Sequence, residues 1–369
     1  MIPLFAVHMP DTVDRPLLET LHSGYLTEGP KVKEFERKLA DFLINRRVLA
    51  LNSGTSALHL ALRLAGVGGG TEVIASPMTC TATIVPICAV GARIVWADVD
   101  PTTGNIDVED VARKWGRNVK AVVAVDWGGS PIDVHGLRDA TDGRSLIIED
   151  AAHAFGATRS LVHVGVEADY TAFSFQAIKH ITTGDGGALA VRSEIDYDRG
   201  KRLRWFGLDR EFKGDLDNRV GQPLEEWGYK FHMNDIAAAI GIEQMKYVDS
   251  ILAKHRSHAY RYAQYLDARF MRPRFNAGHA YWLYTVQLPN GRLRRMFMEH
   301  MAENGIATSQ VHGRCDTLSG FHRYAGMANL PGVTLFSQRQ VSIPVHWKLS
   351  EDDLSHIIDH ANEFAQENL

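Results

Sequence analysis

The chain has 369 residues, enough for one large domain and a smaller one. Its 45% hydrophobic and 23% charged composition is that of an ordinary soluble globular protein, and a net charge of −4 without a long basic run excludes a nucleic-acid-binding class. No segment reaches the apolar length of a membrane span, the start Met1-Ile2-Pro3-Leu4 lacks a signal-type stretch, and Cys80, Cys88 and Cys315 form neither a metal pattern nor an even disulfide set; the expectation is a cytoplasmic chain without a membrane partner or a metal.

Residues 1–28 read as an N-terminal segment, 29–245 as a large α/β domain and 246–369 as a small C-terminal α/β domain. Apolar runs predict strands at 48–51, 72–76, 93–98, 119–125 and 145–149, with helices at 55–65, 81–90, 107–115 and 133–140 between them. This alternation predicts a mostly parallel sheet with helices on both faces. The first strand runs through Asn52-Ser53-Gly54-Thr55-Ser56 into a helix whose Ala57, Leu58, Ala61, Leu62 and Ala65 share a face. A helix start offers free N–H groups and the positive dipole end to a phosphate. The hydroxyls of Ser53 and Thr55 either cap that helix or bind the anion. Gly66, Gly68, Gly69 and Gly70 precede a strand rather than open a helix, and read as a simple turn.

Ser145 to Ile148 reads as a fully buried strand, which sets Asp150 at a strand's C-terminal edge, where α/β sheets bind ligands. A carboxylate buried there needs a cationic partner, and a protonated pyridine nitrogen is one. His153, read as one helical turn on, supports Asp150 or the ring's phenolic oxygen. Taken alone, Asp150 serves equally as a helix N-cap. The strand Phe173–Phe175 leads through Lys179 and a Gly-rich turn to a second strand, 188–191. A lysine leaving a buried strand is partly desolvated, which lowers its pKa and makes it a nucleophile. Pyridoxal 5'-phosphate is the cofactor that most needs such an amine, although a surface lysine beside a hairpin turn has the same sequence. Ser174 lies where it can donate to the same phosphate.

From Asn234 onward, Ile236, Ala239, Ile240, Ile242, Met245 and Val248 predict one long amphipathic helix linking the two domains. His255 and His258 on its continuation have metal-ligand spacing without a third ligand, and read as solvated helix residues. The remainder mixes helices with short strands near 282–288 and 341–345.

In order, Ser53-Gly54-Thr55-Ser56-Ala57-Leu58, Glu149-Asp150-Ala151-Ala152-His153 and Phe-Ser-Phe-x-x-x-Lys-x-x-Thr-x-Gly-x-Gly-Gly over 173–187 resemble the motifs of the DegT/StrS-type sugar aminotransferases, which are fold-type-I pyridoxal phosphate enzymes. The resemblance runs from Gly24-Tyr25-Leu26-Thr27-Glu28-Gly29-Pro30 to Ser342-Ile343-Pro344-Val345-His346. It implies a mostly parallel seven-stranded-type sheet with helices on both faces. It implies Lys179 as the Schiff-base lysine, Asp150 as partner of the pyridine nitrogen and His153 beside it. Gly54, Thr55, Ser56 and Ser174 are implied to hold the phosphate. Two positions depart from the pattern. Cys80 stands where the family has an aromatic residue on the cofactor ring. Lys230 stands where it has an Asn that reaches the neighbouring subunit's phosphate, in a homodimer with shared active sites. The loop 309–316 resembles one that lies over a sugar nucleotide, so His312 and Arg314 are implied substrate contacts; a surface ion pair is the other reading of Arg314.

The activity so implied moves an amino group from glutamate or glutamine to a keto-sugar, in particular a nucleotide-linked 3- or 4-keto-deoxysugar. Two other family activities are amination of a cyclitol ketone and sugar dehydration. The dehydratases carry His in place of the Schiff-base lysine, and Lys179 is intact. Adjacent His180 does not substitute, because neighbouring side chains in an extended segment point opposite ways. A pyridoxal-phosphate-binding regulatory protein without turnover is the non-enzymatic alternative, and no DNA-binding module accompanies the chain.

Overall fold

The computed structural model describes residues 1–212, 222–326 and 328–369. In chain order the strands are β1 (Val48–Leu51), β2 (Glu72–Ala75), β3 (Arg93–Trp96), β4 (Val119–Val125), β5 (Leu146–Asp150), the two-residue pair β6 (Thr158–Arg159) and β7 (Val162–His163), β8 (Tyr170–Ser174), β9 (Gly187–Val191), β10 (Tyr284–Gln287) and β11 (Gln340–Ile343). The helices are α1 (Asp14–Leu21), α2 (Pro30–Leu43), α3 (Gly54–Leu64), α4 (Thr81–Ala89), α5 (Val108–Lys114), α6 (Val134–Ala140), α7 (Glu194–Leu203), α8 (Asp235–Gln244), α9 (Val248–Tyr265), α10 (Gly291–Glu303), α11 (Pro331–Arg339) and α12 (Glu351–Asn368).

Seven strands form one sheet in the order β1-β9-β8-β5-β4-β2-β3. β9 runs antiparallel to both β1 and β8, and the other four pairings are parallel. Six strands therefore point one way and β9 alone points back. These strands are nearly continuous apolar runs because both faces are covered. The two-residue period sorts their side chains. Leu49 and Leu51 pack with Leu60 of α3 and Ile84 of α4. Val48 and Ala50 turn to the opposite face, against Phe35 and Leu39 of α2. Val111 of α5 and Leu137 of α6 close over Ile74, Val122 and Ile147. A separate apolar cluster gathers Tyr262, Phe297, Val341, Ile357 and Phe364 from α9, α10, β11 and α12.

The sheet matches the sequence expectation, with most ends shifted by at most two residues; β8 starts at Tyr170, three residues before the expected Phe173. Asp150 becomes the last residue of β5 instead of the residue beyond it. The expected single helix from 234 is two. Asn234 caps α8 by accepting from the Ala237 N–H at 2.8 Å, and the chain then tightens at its other end, where Lys246 and Tyr247 donate to the carbonyls of Glu243 and Gln244. β10 starts at 284 and not 282. Tyr281 has φ +50°, and Ala280 and Leu283 donate instead to the carbonyls of Gly129 and Gly128.

Parallel orientation places the C-terminal ends of β1, β2, β4, β5 and β8 on one edge of the sheet, the edge that binds ligands in open α/β folds. Arg204 ties that edge to the N-terminal segment. Its buried guanidinium donates to Glu36, to Glu28 at 2.9 Å and to the Ala50 carbonyl at 3.1 Å. Glu36 in turn accepts from the Ala50 N–H at 2.8 Å. Removing one partner of a buried pair leaves uncompensated charge, at a cost of about 3–5 kcal/mol. Arg204→Leu should lower unfolding stability by about that amount. A urea midpoint within error of wild type would contradict this reading of the network.

Candidate active site

At the end of β1 the chain turns directly into α3. Ser53 is the N-cap: its Oγ accepts from the Ser56 N–H at 3.0 Å and donates to the Ser56 Oγ at 2.9 Å. The Ser53 hydroxyl is therefore used within the cap, while the Ser56 Oγ accepts there and keeps its own O–H to donate. The N–H groups of Gly54 and Thr55, at the first two helical positions, have no intrahelical acceptor and face outward from the positive end of the helix. A Cβ on Gly54 would stand 3.0 Å from the Cβ of Ser174, and one on Gly187 would stand 2.6 Å from the carbonyl oxygen of Ser53. Glycine at both positions lets the helix start settle onto the ends of β8 and β9. Ser174, on the α3 face of β8, accepts only a 3.4 Å contact from the Gln176 N–H.

Asp150 is buried. Its Oδ2 accepts from the Thr83 hydroxyl at 2.7 Å and its Oδ1 from the Ala152 N–H at 3.1 Å. Thr83 is held in turn by the Thr79 hydroxyl at 2.7 Å. Burial pushes the Asp150 carboxyl above its usual range, while Thr83, the Ala152 N–H and Lys179 act against that rise. The N-cap reading of Asp150 fails, because residues 151–157 form turns and not a helix. The same turns carry His153, so it is not one helical turn along.

Lys179 lies in the turn joining β8 to β9, where its N–H donates to the Gln176 carbonyl at 2.9 Å. Its Nζ sits 3.7 Å from the ring centroid of Trp282. Burial lowers the amine to about 8, against the attraction of Asp150 and Cys80. Trp282 is fixed from several sides. Its Nε1 donates to the Ile178 carbonyl at 2.8 Å, its ring stacks on His153 with centroids 3.9 Å apart, and Phe5 stacks on it at 4.9 Å. His312 lies parallel to His153 at 5.5 Å, and Trp127 packs edge-on against both. Burial holds His153 neutral, far below its usual range, and lowers His312 to about 4; in both cases the Lys179 charge adds to the effect. Among the described residues, Nδ1 of His153, Nε2 of His312 and Nε1 of Trp127 are buried without a protein partner.

Lys179, Asp150, His153, His312, Ser174, Gly54 and Thr55 thus gather on one sheet edge. The remaining expected site residues do not join them in the same way. Cys80 is the half-buried N-cap residue of α4 and enters only through its electrostatic effect on Lys179. Lys230 is exposed, with its carbonyl accepting from the Asn52 side chain at 3.2 Å. Arg314 is committed to a bidentate pair with Asp316, at 3.0 and 2.6 Å, and to the Thr334 hydroxyl at 2.7 Å, so the ion-pair reading describes it. His255 and His258 are buried, not solvated: their Nδ1 atoms bond the carbonyls of Tyr281 at 2.7 Å and Val345 at 3.3 Å. Trp282, Trp127, Thr79 and Thr83 were not expected. Nothing in a Thr on a short apolar helix marks a carboxylate partner, and Trp282 read as the first residue of a strand.

This donor set fits pyridoxal 5'-phosphate. It offers an amine lowered to about 8, a buried carboxylate, a helix start free for a phosphate, and orphaned polar atoms around the space between them. A model of the DegT/DnrJ/EryC1/StrS aminotransferase family matches residues 10–362. GDP-perosamine synthase from Vibrio cholerae is 30% identical over 366 residues, covering 97% of each chain. The structure of the sugar aminotransferase CalS13 from Micromonospora echinospora is 36% identical, with a TM-score of 0.91 over 98% of this chain and 100% of that one. The pyridoxal-phosphate form of Spr1654 from Streptococcus pneumoniae, described as a sugar aminotransferase, is 26% identical and superposes with a TM-score of 0.91 over 100% of this chain and 99% of that one. Fold, site and relatives define a pyridoxal-phosphate-dependent sugar aminotransferase. The chain belongs to the DegT/DnrJ/EryC1/StrS aminotransferase family.

Burial also sets how this protein responds to acid. His180 and His279 are lowered to about 3 and His312 to about 4, and His153 and His255 lie well below their usual value. Each is neutral in the fold and free to charge once unfolded, so stability falls as pH drops below about 6.5, by up to about 1.4 kcal/mol per pH unit for each histidine. Buried Glu149, raised to about 7, and Asp126 and Asp150, both raised above their ordinary value, oppose this with their own proton uptake. Five histidines outweigh three acids. The urea midpoint should therefore fall steadily from pH 7.5 to pH 5.5, and a flat or rising midpoint would contradict the buried neutral histidines.

Proposed function

We propose that this chain transfers an amino group from glutamate to a keto-sugar carried on a nucleotide. The observation that carries the reading is the meeting of the Lys179 amine, the Asp150 carboxylate and the α3 start on one sheet edge. Pyridoxal phosphate, when bound, supplies a carbonyl that takes up the amino group and a pyridinium ring that accepts electron density. Lys179 Nζ is the covalent anchor, and once released it carries a proton to and from the amino-bearing carbon of donor and acceptor. An amine lowered to about 8 is suited to that exchange near neutral pH. Asp150, steadied by Thr83, holds the proton of the pyridine nitrogen. The N–H groups of Gly54 and Thr55, with the Ser174 hydroxyl, hold the phosphate. His153 and Trp282 wall off water from the reacting carbon.

His180 supports aminotransfer over dehydration. Its Nε2 bonds the Ala280 carbonyl at 2.9 Å and its ring packs on His255, so it leaves Lys179 as the amine at the site. A nucleotide-linked acceptor is supported by the likeness to a GDP-perosamine synthase. With Arg314 already paired, His312 is the residue of the 309–316 loop that remains for the sugar. The same reading keeps the small C-terminal unit at 246–369, a cytoplasmic setting, and a homodimer in which Lys230 reaches the partner's phosphate. The exposed position of Lys230 suits that last role.

Nucleotide-linked 3-keto and 4-keto sugars, offered with glutamate to the cofactor-loaded protein, should yield an aminated nucleotide sugar and 2-oxoglutarate. Amination of a free cyclitol ketone alone, or of nothing, would overturn the reading. A Lys179→Ala chain exchanged with a Lys230→Ala chain should regain activity that neither homodimer has. If Lys230→Ala lowers activity and exchange restores none, Lys230 does not act across subunits.

A further inference from the structure

The two histidines with metal-ligand spacing in the sequence, His255 and His258, are spent on backbone carbonyls. A different set converges in the C-terminal part of the chain, and no periodicity within one helix reveals it, because it spans two helices. His300 lies near the end of α10. His360 and Glu363 lie three apart on α12, and so share a face. The ligand atoms of all three lie within 4.8 Å of one another. His360 Nδ1 is 2.9 Å from Glu363 Oε2, and His300 Nε2 is 3.8 Å from the same oxygen.

We infer that His300, His360 and Glu363 form a binding site for a late first-row divalent cation, Zn2+ above all, that links α10 to α12. Bonds of about 2.0–2.2 Å from zinc to imidazole nitrogen and carboxylate oxygen put tetrahedral ligand atoms roughly 3.4 Å apart. The separations here bracket that distance, so small side-chain rotations suffice. Two imidazoles and one carboxylate suit zinc, nickel or copper, whereas magnesium and calcium take oxygen ligands. The fourth position is left to water. A helix-surface hydrogen bond accounts for His360 and Glu363, which are neighbours on one helix. The His300 bond to the His360 carbonyl brings a second imidazole beside that pair from another helix, so three ligand atoms meet in one place.

The side chains are placed for this role. His300 and His360 are 20% and 25% exposed, held yet reachable, and Glu363 is 53% exposed. Phe364 packs against the His300 ring at 5.7 Å. His300 Nε2 donates to the His360 carbonyl at 3.0 Å, and coordination exchanges that bond for one to the metal through the other ring tautomer. His356, one turn before His360, stacks edge-on against it at 4.5 Å, but its Nε2 bonds the Asn304 carbonyl at 2.9 Å, so it supports the site and does not ligate. Both helices pack into the separate C-terminal cluster, away from the sheet edge that carries Lys179. The cation therefore braces that cluster and takes no part in aminotransfer.

Equilibrium dialysis of the cofactor-loaded protein against Zn2+ tests this directly. Wild type should hold one Zn2+ per chain more than His360→Ala or Glu363→Gln does. Zn2+ should raise Tm in wild type but in neither variant, and Mg2+ should raise it in none. Glu363 is exposed, so the Gln variant keeps its fold and remains a fair comparison. His356→Ala should retain the ion. Equal zinc content in wild type and both ligand variants, a Tm rise of equal size with Mg2+, or loss of the ion in His356→Ala would each overturn the assignment.

Discussion

A carboxylate and an amine buried within electrostatic reach of one another at the edge of a sheet organise the rest of this structure. Burial penalises both charges. It drives the Asp150 carboxyl up and the Lys179 amine down to about 8, and each group offsets part of the other's penalty. Neither residue reaches that position alone. Asp150 is delivered by the end of β5, a strand apolar on both faces, and is held by a hydroxyl from α4. Lys179 is delivered by the turn between β8 and β9, where an indole ring closes over its amine. The direction of the strands decides the outcome: with six of seven pointing one way, their C-terminal ends and the start of α3 lie along the same edge of the sheet.

On the proposed function, the phosphate end of this site rests chiefly on backbone, with the Ser174 hydroxyl beside it. The serines around α3 hydrogen-bond one another, which fixes the helix start and leaves N–H groups facing outward. Glycines 54 and 187 make the close approach possible by lacking a Cβ where backbone would obstruct it. A rigid ring of N–H donors needs no reorganisation when an anion arrives, and it imposes no charge on the neighbouring amine.

Much of this was legible in the sequence. Strands buried on both faces appear as short runs of Val, Ile, Leu and Ala, and their ends fall within two residues of the observed ones except at the start of β8, where Tyr170 and Thr171 interrupt the apolar run. Asp150 and Lys179 stood out because each follows such a run, and the ordered motifs joined them to one family. Whatever depended on packing between distant segments was hidden. Trp282 and Phe5 lie far apart in the sequence, and their stacking beside Lys179 leaves no local pattern. His255 and His258 look solvated on a helix until α9 is packed against the residues that cover them. Arg314 is satisfied by Asp316, only two positions away, yet the pairing depends on how the loop turns. The break between α8 and α9 carries no Gly or Pro, so apolar periodicity runs through it unmarked.

The amine of the turn between β8 and β9 is the group on which the chemistry of this site depends. The most direct measurement is borohydride reduction of the cofactor-loaded protein, followed by proteolysis and mass mapping of the modified peptide. The account predicts a single pyridoxyl adduct, on Lys179. An adduct on any other lysine, or a cofactor that borohydride does not fix to the chain, would contradict it.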